Sequence, residues 1–226
     1  DLNNTDNVPE GIDEIDQQEE SSNGANPTPT PTEPATSVLD TSITNIGLTE
    51  NEIASLVFMR EEEKLALDVY LGLYDLWGLS IFQNIAGSEQ THTEAVKRLL
   101  DTYDIQDPAD TSPTGTFVNI ELQELYDELM ALGTQSLGDA LKVGAAIEEI
   151  DILDLQKFLE TTQNDNVHRV YENLLRGSEN HLRAFTSTLE RQTGEIHQPQ
   201  YLTQTEYDAF LKSNGSRSRG GKGSRP

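Results

Sequence analysis

The sequence predicts an all-α protein, an antiparallel bundle of four long helices in two pairs with a short helix in the crossover between the pairs. Three observations favour this fold. Between residues 48 and 192, apolar side chains recur at helical spacing in four long stretches. Helix-capping residues precede these stretches. The same region has no sustained alternation of apolar and polar residues and no Asn-Gly or Asp-Gly hairpin turn, so we expect no β-sheet.

The first pair of helices has start and stop signals. Thr49 and Glu52 form a Thr-x-x-Glu capping box, which predicts the start of the first helix, and Gly78 is expected to end it. Ser80 is expected to cap the second helix, which should end near Tyr103. The short link between these helices predicts antiparallel neighbours.

A loop at residues 104–118 is expected to cross from the first pair to the second. Asn119 is the predicted cap of a short helix that ends at Gly133. Ser136 with Asp139 predicts the start of the third long helix.

That third long helix should run to about Thr161. Either Asn164 or Asp165 is expected to open the fourth long helix, and the sequence leaves both open. This last core helix should end near Gln192.

Two extensions flank the predicted bundle at residues 48–192. Residues 1–47 are acidic and rich in Pro and Thr, which predicts an extended N-terminal tail or stalk. Residues 193–226 form a C-terminal extension, in which Thr203 with Glu206 predicts one short helical turn. Its basic end is rich in Gly, Ser and Arg and is not expected to form a core.

Composition excludes several classes of function. The formal net charge is −25, so the protein should repel nucleic acid, and we expect no nucleic-acid partner. There is no cysteine, which excludes disulfides and thiolate chemistry. No apolar run is long enough for a transmembrane segment. The chain begins at Asp1 rather than Met and continues as an acidic stalk, which predicts a processed, extracellular or cell-surface protein.

One pattern occurs twice and is the main functional signal. Residues 82–92 read FQNIAGSEQTH and residues 171–181 read YENLLRGSENH, so each has Gly-Ser-Glu followed by a histidine. Paired glutamates precede each copy, at 62–63 and at 148–149. Buried carboxylates and imidazoles are costly unless something compensates them. Two helix pairs that both carry them therefore predict a shared metal site inside the bundle.

The second and fourth long helices carry the candidate histidine ligands. Glu89 and His92 are three residues apart, so both side chains lie on one helical face, and that face is apolar. His181 lies on the apolar stripe of the fourth helix, with Ser178 where a partner glutamate would stand and Glu179 facing outward. The alternatives are a solvated helix pair at the first position and a buried, hydrogen-bonded histidine at the second.

The first and third long helices carry the candidate carboxylates. Glu62 and Glu63 both lie on apolar stripes, so the pattern leaves both open as ligands. Glu148 lies on an apolar stripe, and Asp151 one turn further on could support it. Two other acidic residues are expected on solvated faces: Glu61 and Glu149.

A mixed set of imidazole and carboxylate ligands favours a transition metal over calcium. We expect iron, with manganese and zinc as alternatives. A pair of metals needs bridging carboxylates, which Glu89 and Glu148 could supply. A redox-active pair could oxidise Fe(II) or activate oxygen or peroxide. Four tyrosines are candidates either for electron transfer or for packing: Tyr70, Tyr74, Tyr103 and Tyr171.

Four blocks of the sequence resemble a known family. They read, in order, MREEEKLALDVYLGLYDLWG, IFQNIAGSEQTHTEAVKRLLDTY, GAAIEEIDILDL and RGSENHLRAF. Over roughly residues 48–190 they resemble the DUF2202 family of the ferritin-like, rubrerythrin-like superfamily. This resemblance implies a ferritin-like antiparallel four-helix bundle with a metal site between the helices.

The resemblance also bears on individual ligands. The spacing Glu63-x-x-Ala66-x-x-x-Tyr70 resembles a rubrerythrin first-helix motif, which favours Glu63 over Glu62. Further positions match the superfamily's Glu-x-x-His, third-helix carboxylate and fourth-helix histidine: Glu89, His92, Glu148 and His181.

Three functions are compatible with these observations. The first is an exported ferritin-like metal-binding protein, with an iron pair that has oxidase or peroxide-handling activity. The second is a structural subunit of an extracellular assembly or filament, a homo-oligomer or polymer in which the tails bind neighbouring copies. The third is a partner-binding helical module with a vestigial site.

Overall fold

Six α-helices make up the described part of the chain. The structure, a computed structural model, describes residues 47–213, and no β-strand occurs among them. The helices are α1 (Glu50–Trp77), α2 (Ser80–Thr102), α3 (Ile120–Gly133), α4 (Leu137–Thr161), α5 (Asp165–Thr193) and α6 (Gln204–Ser213). The all-α prediction is therefore confirmed. The predictions for the N-terminal stalk and the basic C-terminal end fall on residues 1–46 and 214–226, outside the described residues.

The four long helices form two antiparallel pairs. Two residues separate α1 from α2 and three separate α4 from α5, so each partner must turn back along the other. Between the pairs, α1 packs against α4 and α2 packs against α5, while α3 lies in the connection and contacts both α1 and α4. The Tyr70 hydroxyl on α1 donates a hydrogen bond to Glu148 on α4, and the Ser55 and Tyr171 hydroxyls join α1 to α5.

A buried polar layer divides the apolar core into two clusters. On α1, Leu56 and Met59 belong to one cluster and Leu65 to the other. On α5, Leu174 and Leu182 are divided in the same way. The acidic residues that lie between these positions interrupt the apolar surface of the helices, and no helix within residues 47–213 is long and apolar enough to cross a membrane.

Most predicted helix boundaries are confirmed. Thr49 and Glu52 form both hydrogen bonds of the capping box, and Gly78 ends α1 in the left-handed conformation at φ 63°. Asn164, rather than Asp165, caps α5. Other predicted caps that the structure shows are Asn119, Ser136 and the Thr203–Glu206 pair.

The prediction that Ser80 caps the second helix is wrong. Ser80 is already the first residue of α2, and Leu79 occupies the capping position without a side-chain hydrogen bond. The reason is the shortness of the link. Gly78 reverses the chain, Leu79 is extended, and the next residue is helical, so the hydroxyl of Ser80 comes one position too late to cap.

The prediction that Glu61 and Glu149 are solvated is also wrong. Their exposed fractions are 2% and 0%. Glu61 accepts hydrogen bonds from the backbone N–H groups of residues 118–119 in the crossover. Glu149 accepts three hydrogen bonds from the backbone N–H groups of residues 200–202, and Nε2 of His197 lies 2.6 Å from its Oε1. Segments outside the four long helices cross over these carboxylates, and their free N–H groups compensate the burial.

We predict that Glu52→Ala destabilises the fold by about 3 kcal/mol, because a carboxylate with several hydrogen bonds is lost and buried donors are left unpaired. Glu52 accepts from Thr49 at the start of α1 and from the backbone N–H groups of Gln163 and Asn164 before α5. Glu50→Ala, an exposed acid in the same helical turn, is the matched control and should change stability little. Urea unfolding measures both, and equal losses would contradict this role of Glu52.

Candidate metal centre

The polar layer is where all four long helices bring carboxylates or histidines to one point. Its acidic members are almost fully buried, with exposed fractions between 0% and 2%. They lie on α1, α2 and α4, and the two histidines lie on α2 and α5. The members of the layer that sequence analysis singled out as ligands are Glu62, Glu63, Glu89, His92, Glu148 and His181.

The first group of potential ligands joins α1 to α2. Nδ1 of His92 lies 2.7 Å from Oε2 of Glu89 and 3.3 Å from Oε2 of Glu63. The i,i+3 spacing on α2 explains the first of these contacts, and the packing of α1 against α2 supplies the second. These three side chains are close enough together to hold one metal ion.

The second group joins α2 to α4 and α5. Nδ1 of His181 lies 2.7 Å from Oε1 of Glu89 and 3.6 Å from Oε1 of Glu148. The Tyr70 hydroxyl donates a hydrogen bond of 2.7 Å to Oε1 of Glu148 and so fixes that carboxylate. Glu89, Glu148 and His181 can also hold one metal ion. Glu89 belongs to both groups, one oxygen facing each histidine.

Many atoms of these groups have no hydrogen-bond partner. Nδ1 of His181 and Oε1 of Glu89 are 2.7 Å apart, but their relative orientation does not make a hydrogen bond. Both oxygens of Glu63 and Oε2 of Glu148 are also without one. Buried polar atoms are nearly always paired, so these unpaired atoms are exceptions that are available to a common ligand.

The two imidazole rings face each other across the shared carboxylate. The ring centroids of His92 and His181 are 5.6 Å apart, and the planes are close to parallel, at 28°. Each ring directs its Nδ1 toward the carboxylates. The prediction that the two histidines converge in the interior therefore agrees with where the structure places them.

The histidines act as the counter-charges of the carboxylates. Burial alone would favour neutral imidazoles, but the neighbouring carboxylates outweigh it and raise the pKa of His92 to about 11 and that of His181 to about 10. Burial also opposes ionisation of Glu89, yet the two imidazoles lower its pKa to about 2. Burial raises the pKa of Glu63 to about 8, and it also raises the pKa of Glu148.

Glu62 lies apart from the histidines. It is 2% exposed, and both its oxygens lack hydrogen-bond partners. Burial, followed by the nearby charges of Asp154 and Glu63, raises its pKa well above the usual range. Burial and the charge of Glu62 do the same to the pKa of Asp151, whose own oxygens are unpaired. Of the two glutamates left open by the sequence, Glu63 contacts His92, whereas Glu62 interacts with Asp151 and Asp154 instead.

Glu89 stands three residues before His92, and the residue three before His181 on α5 is Ser178. Ser178 takes no part in the site. The hydroxyl of Ser178 donates its hydrogen bond to the backbone carbonyl of Leu174. Glu179 lies toward the surface, 3.7 Å from Arg183. The site therefore has one shared carboxylate, supplied by α2 alone.

Gly177, which the sequence did not single out, allows His92 to approach α5. A Cβ atom added at Gly177 would lie 2.6 Å from Nε2 of His92, so no larger residue fits without moving the ring. The repeated Gly-Ser-Glu motif carried this signal. In its first copy, a Cβ added at Gly87 meets nothing within 4 Å. The glycine of the motif therefore contacts the site only in its second copy.

Asp154 was also missed, although its spacing of three residues from Asp151 is a signal for one helical face. The structure places the four tyrosines differently with respect to the site, and Tyr74 packs against the apolar core. Tyr70 contacts Glu148 directly, whereas Tyr103 and Tyr171 hydrogen-bond Asn164 and Ser55 away from the histidines.

We predict opposite effects for the same substitution at two adjacent buried glutamates of the metal-free protein. Glu62→Gln should stabilise the fold, because the raised pKa means that ionised Glu62 is disfavoured in the folded state. The stability that wild-type Glu62 contributes is complete below its unfolded pKa of about 4.5 and is lost as pH rises through the higher folded value. The gain from Glu62→Gln should therefore increase above pH 4.5.

Glu61→Gln is the control and should destabilise the fold by about 1–2 kcal/mol. The two oxygens of Glu61 each accept a backbone hydrogen bond, whereas an amide has a single accepting oxygen and no charge. Thermal unfolding of both variants with chelator, at pH 4 and pH 7, measures the difference. A loss of stability in Glu62→Gln at pH 7 would show that ionised Glu62 has a partner in the metal-free fold.

Comparisons with known proteins identify the family of the chain. The family model described as "Uncharacterized protein domain (DUF2202)" matches residues 52–214. The uncharacterized protein MJ0754 of Methanocaldococcus jannaschii is 49% identical over 170 residues, which are 75% of this chain and 91% of that protein. The crystal structure of the hypothetical protein MJ0754 matches with a TM-score of 0.72 and covers 76% of this chain and 98% of that one. The chain belongs to the DUF2202 family.

Proposed function

We propose that this protein binds two transition-metal ions in the polar layer, one in each histidine-containing group. Glu63 and His92 would hold the first ion and Glu148 and His181 the second, with Glu89 between them. Each ion would receive one imidazole, one carboxylate of its own and one oxygen of the shared carboxylate. This equal division of donors is what the two groups of three side chains offer.

The observation that carries the proposal is the unpaired state of the site's inward-facing atoms. Nδ1 of His181 and Oε1 of Glu89 approach each other without a hydrogen bond, and the oxygens of Glu63 have no donor. Atoms at this depth that neither bond each other nor reach water fit a common ligand between them. A bound cation would replace the two imidazolium protons as the counter-charge of the carboxylates.

The donor set favours iron, with manganese and zinc as the other candidates. Imidazole nitrogen with carboxylate oxygen suits these metals better than calcium or magnesium, which prefer oxygen ligands alone. Four long helices with inward carboxylates and histidines also support the ferritin-like, rubrerythrin-like relationship that the sequence motifs imply. We therefore also propose that this chain belongs to that superfamily.

The proposed activity is oxidation of Fe(II) or reduction of peroxide. When bound, a pair of Fe(II) ions would supply two electrons, which with two protons are enough to reduce one hydrogen peroxide to two waters. The chain's own residues would bind the ions, hold the ligand side chains in place and shield the layer from water. Tyr70 holds Glu148 by its hydroxyl, and two apolar clusters shield the layer on either side along the bundle. The histidine side chains, each 12% exposed, are the members of the groups nearest to solvent.

We predict that Glu89→Gln abolishes binding of both metal ions, because one neutral amide replaces the only carboxylate that both groups share. The matched control is Glu179→Gln, at the same place in the second Gly-Ser-Glu motif but away from the site. Elemental analysis after loading with Fe(II) without oxygen and desalting measures the bound metal. Wild type and Glu179→Gln should retain two ions and Glu89→Gln none. A wild type without metal would refute the proposed function.

We predict that Gly177→Ala weakens metal binding about tenfold or more without unfolding the protein, because the added methyl group displaces the ring of His92. Alanine favours a helix over glycine, which offsets part of the cost of displacing the ring, so the fold should be retained. Gly87→Ala is the control, since its methyl group would meet nothing within 4 Å. Metal titration together with circular dichroism separates the two effects. Equal affinities of the two alanine variants would argue against ligation by His92.

A further inference from the structure

An arginine-lined groove opens to the surface between α2 and α5. Its volume is about 230 Å³, and none of the described residues that line it is acidic. Arg98 on α2 and Arg169 on α5 supply its positive charges, and Leu99 and Val170 supply apolar surface. The other residues that line this arginine groove are Ala95, Thr102, Asn166 and Asn173. The groove therefore offers two guanidinium groups beside an apolar patch.

The arginines of the groove have no counter-charge within residues 47–213. Neither guanidinium group of the lining arginines makes an ion pair or a hydrogen bond with a described residue. A third arginine, Arg176, adjoins the groove through a hydrogen bond that it donates to Oδ1 of Asn173. Other basic residues of the described chain do pair with carboxylates: Arg60, Lys64, Lys97, Lys142 and Arg183. In a chain with a net charge of −25, this unpaired group of arginines suits a carboxylate-bearing partner.

The N-terminal part of the chain has the complementary composition. Residues 1–46, which lie outside the described structure, contain ten acidic residues and no lysine or arginine. Five of the ten lie within residues 13–20, which read DEIDQQEE. Ile12 and Ile15 accompany them. Residues 12–20 therefore offer carboxylates for the guanidinium groups and apolar side chains for the surface of Leu99 and Val170.

The described chain begins at the same end of the bundle as the arginine groove. Nδ2 of Asn164 donates a hydrogen bond to the carbonyl oxygen of Gly47, and Asn164 caps α5 two residues before Asn166 of the groove. From Asn166 to Asn173 the groove follows α5 for about 10 Å at the helical rise. The chain between residue 20 and Gly47 can span up to about 90 Å when extended, so residues 12–20 can reach the groove of their own chain.

We propose that residues 12–20 dock into the arginine groove of the same chain, with carboxylates on Arg98 and Arg169. Exposed ion pairs are individually weak, so the contact depends on several pairs, on the apolar patch and on the high effective concentration that a tether gives. Ala95 of the groove stands one turn after His92 on α2, so the docked segment would lie beside an edge of the polar layer. The inference does not depend on the proposed function, because no metal ion takes part in it.

A nitroxide label on residue 17 tests the docking in the full chain. The protein has no cysteine, so Gln17→Cys provides a single point of attachment. With chelator present, the amide signals of Thr102, Asn166 and Asn173 should lose about half of their intensity or more, because weak tethered contacts still bring the label close for part of the time. The amide of Thr134, at the opposite end of the bundle, should keep its intensity. The same sample with reduced nitroxide is the reference.

The groove variant Arg98→Gln/Arg169→Gln should abolish this loss of intensity, whereas Arg191→Gln should preserve it. Arg191 is the matched control, since it is an exposed arginine of α5 that pairs with no described carboxylate and does not line the groove. High salt should act like the groove variant, because it screens exposed charges. Should the groove variant not fold, neutralising the segment must abolish the loss instead. That variant is Asp13→Asn/Asp16→Asn/Glu19→Gln/Glu20→Gln.

Two results would overturn the inference: full intensity at the groove in the nitroxide-labelled protein, or a loss that persists in the groove variant or, if that variant does not fold, in the neutralised segment. A mixture of isotope-labelled chains without nitroxide and nitroxide-labelled chains without isotope separates the same chain from a second copy. Docking within one chain leaves the signals of this mixture unchanged. An equally strong loss in the mixture would place the segment on a neighbouring copy and overturn docking in the same chain. A failure of metal binding would change none of these results.

Discussion

The burial of carboxylates at the dry centre of a helical bundle is the constraint on which the rest of this structure depends. Ionised acids are almost never fully buried without a partner, since removing them from water costs several kcal/mol each. Here they lie between two apolar clusters of the core. The two imidazolium groups supply only part of the counter-charge. Burial, followed by the charges of neighbouring carboxylates, raises the pKa of Glu62 and that of Asp151.

The protein uses buried acids in two distinct ways. Glu61 and Glu149 are as deeply buried as the central residues, but backbone N–H groups surround them. They attach the crossover and the segment after α5 to the four long helices, and so close the bundle around its polar layer. The acids of the layer have no such donors, so the same type of residue is structural at one position and available to a ligand at another.

The internal repeat is symmetric in sequence and asymmetric in use. Both copies contribute an inward histidine, and the rings of His92 and His181 face each other. Only the first copy contributes a carboxylate to the space between them, because Ser178 bonds its own helix. Only the second copy needs its glycine, because the ring of His92 packs against Gly177. A repeat of helix pairs can therefore diverge in which residue serves the site while the fold is kept.

The sequence by itself determined the helices, most of their caps and the convergence of Glu89 with His92, because capping and the i,i+3 relation are local. It determined only that Glu62 and Glu63 each lie on an apolar stripe. Periodicity fixes the angle between two side chains on one helix, but the rotation of that helix against its neighbours is set by packing. Tertiary structure alone therefore decided that Glu63 meets His92, that Glu62 meets Asp154, and that Glu61 and Glu149 are covered by segments distant in the chain.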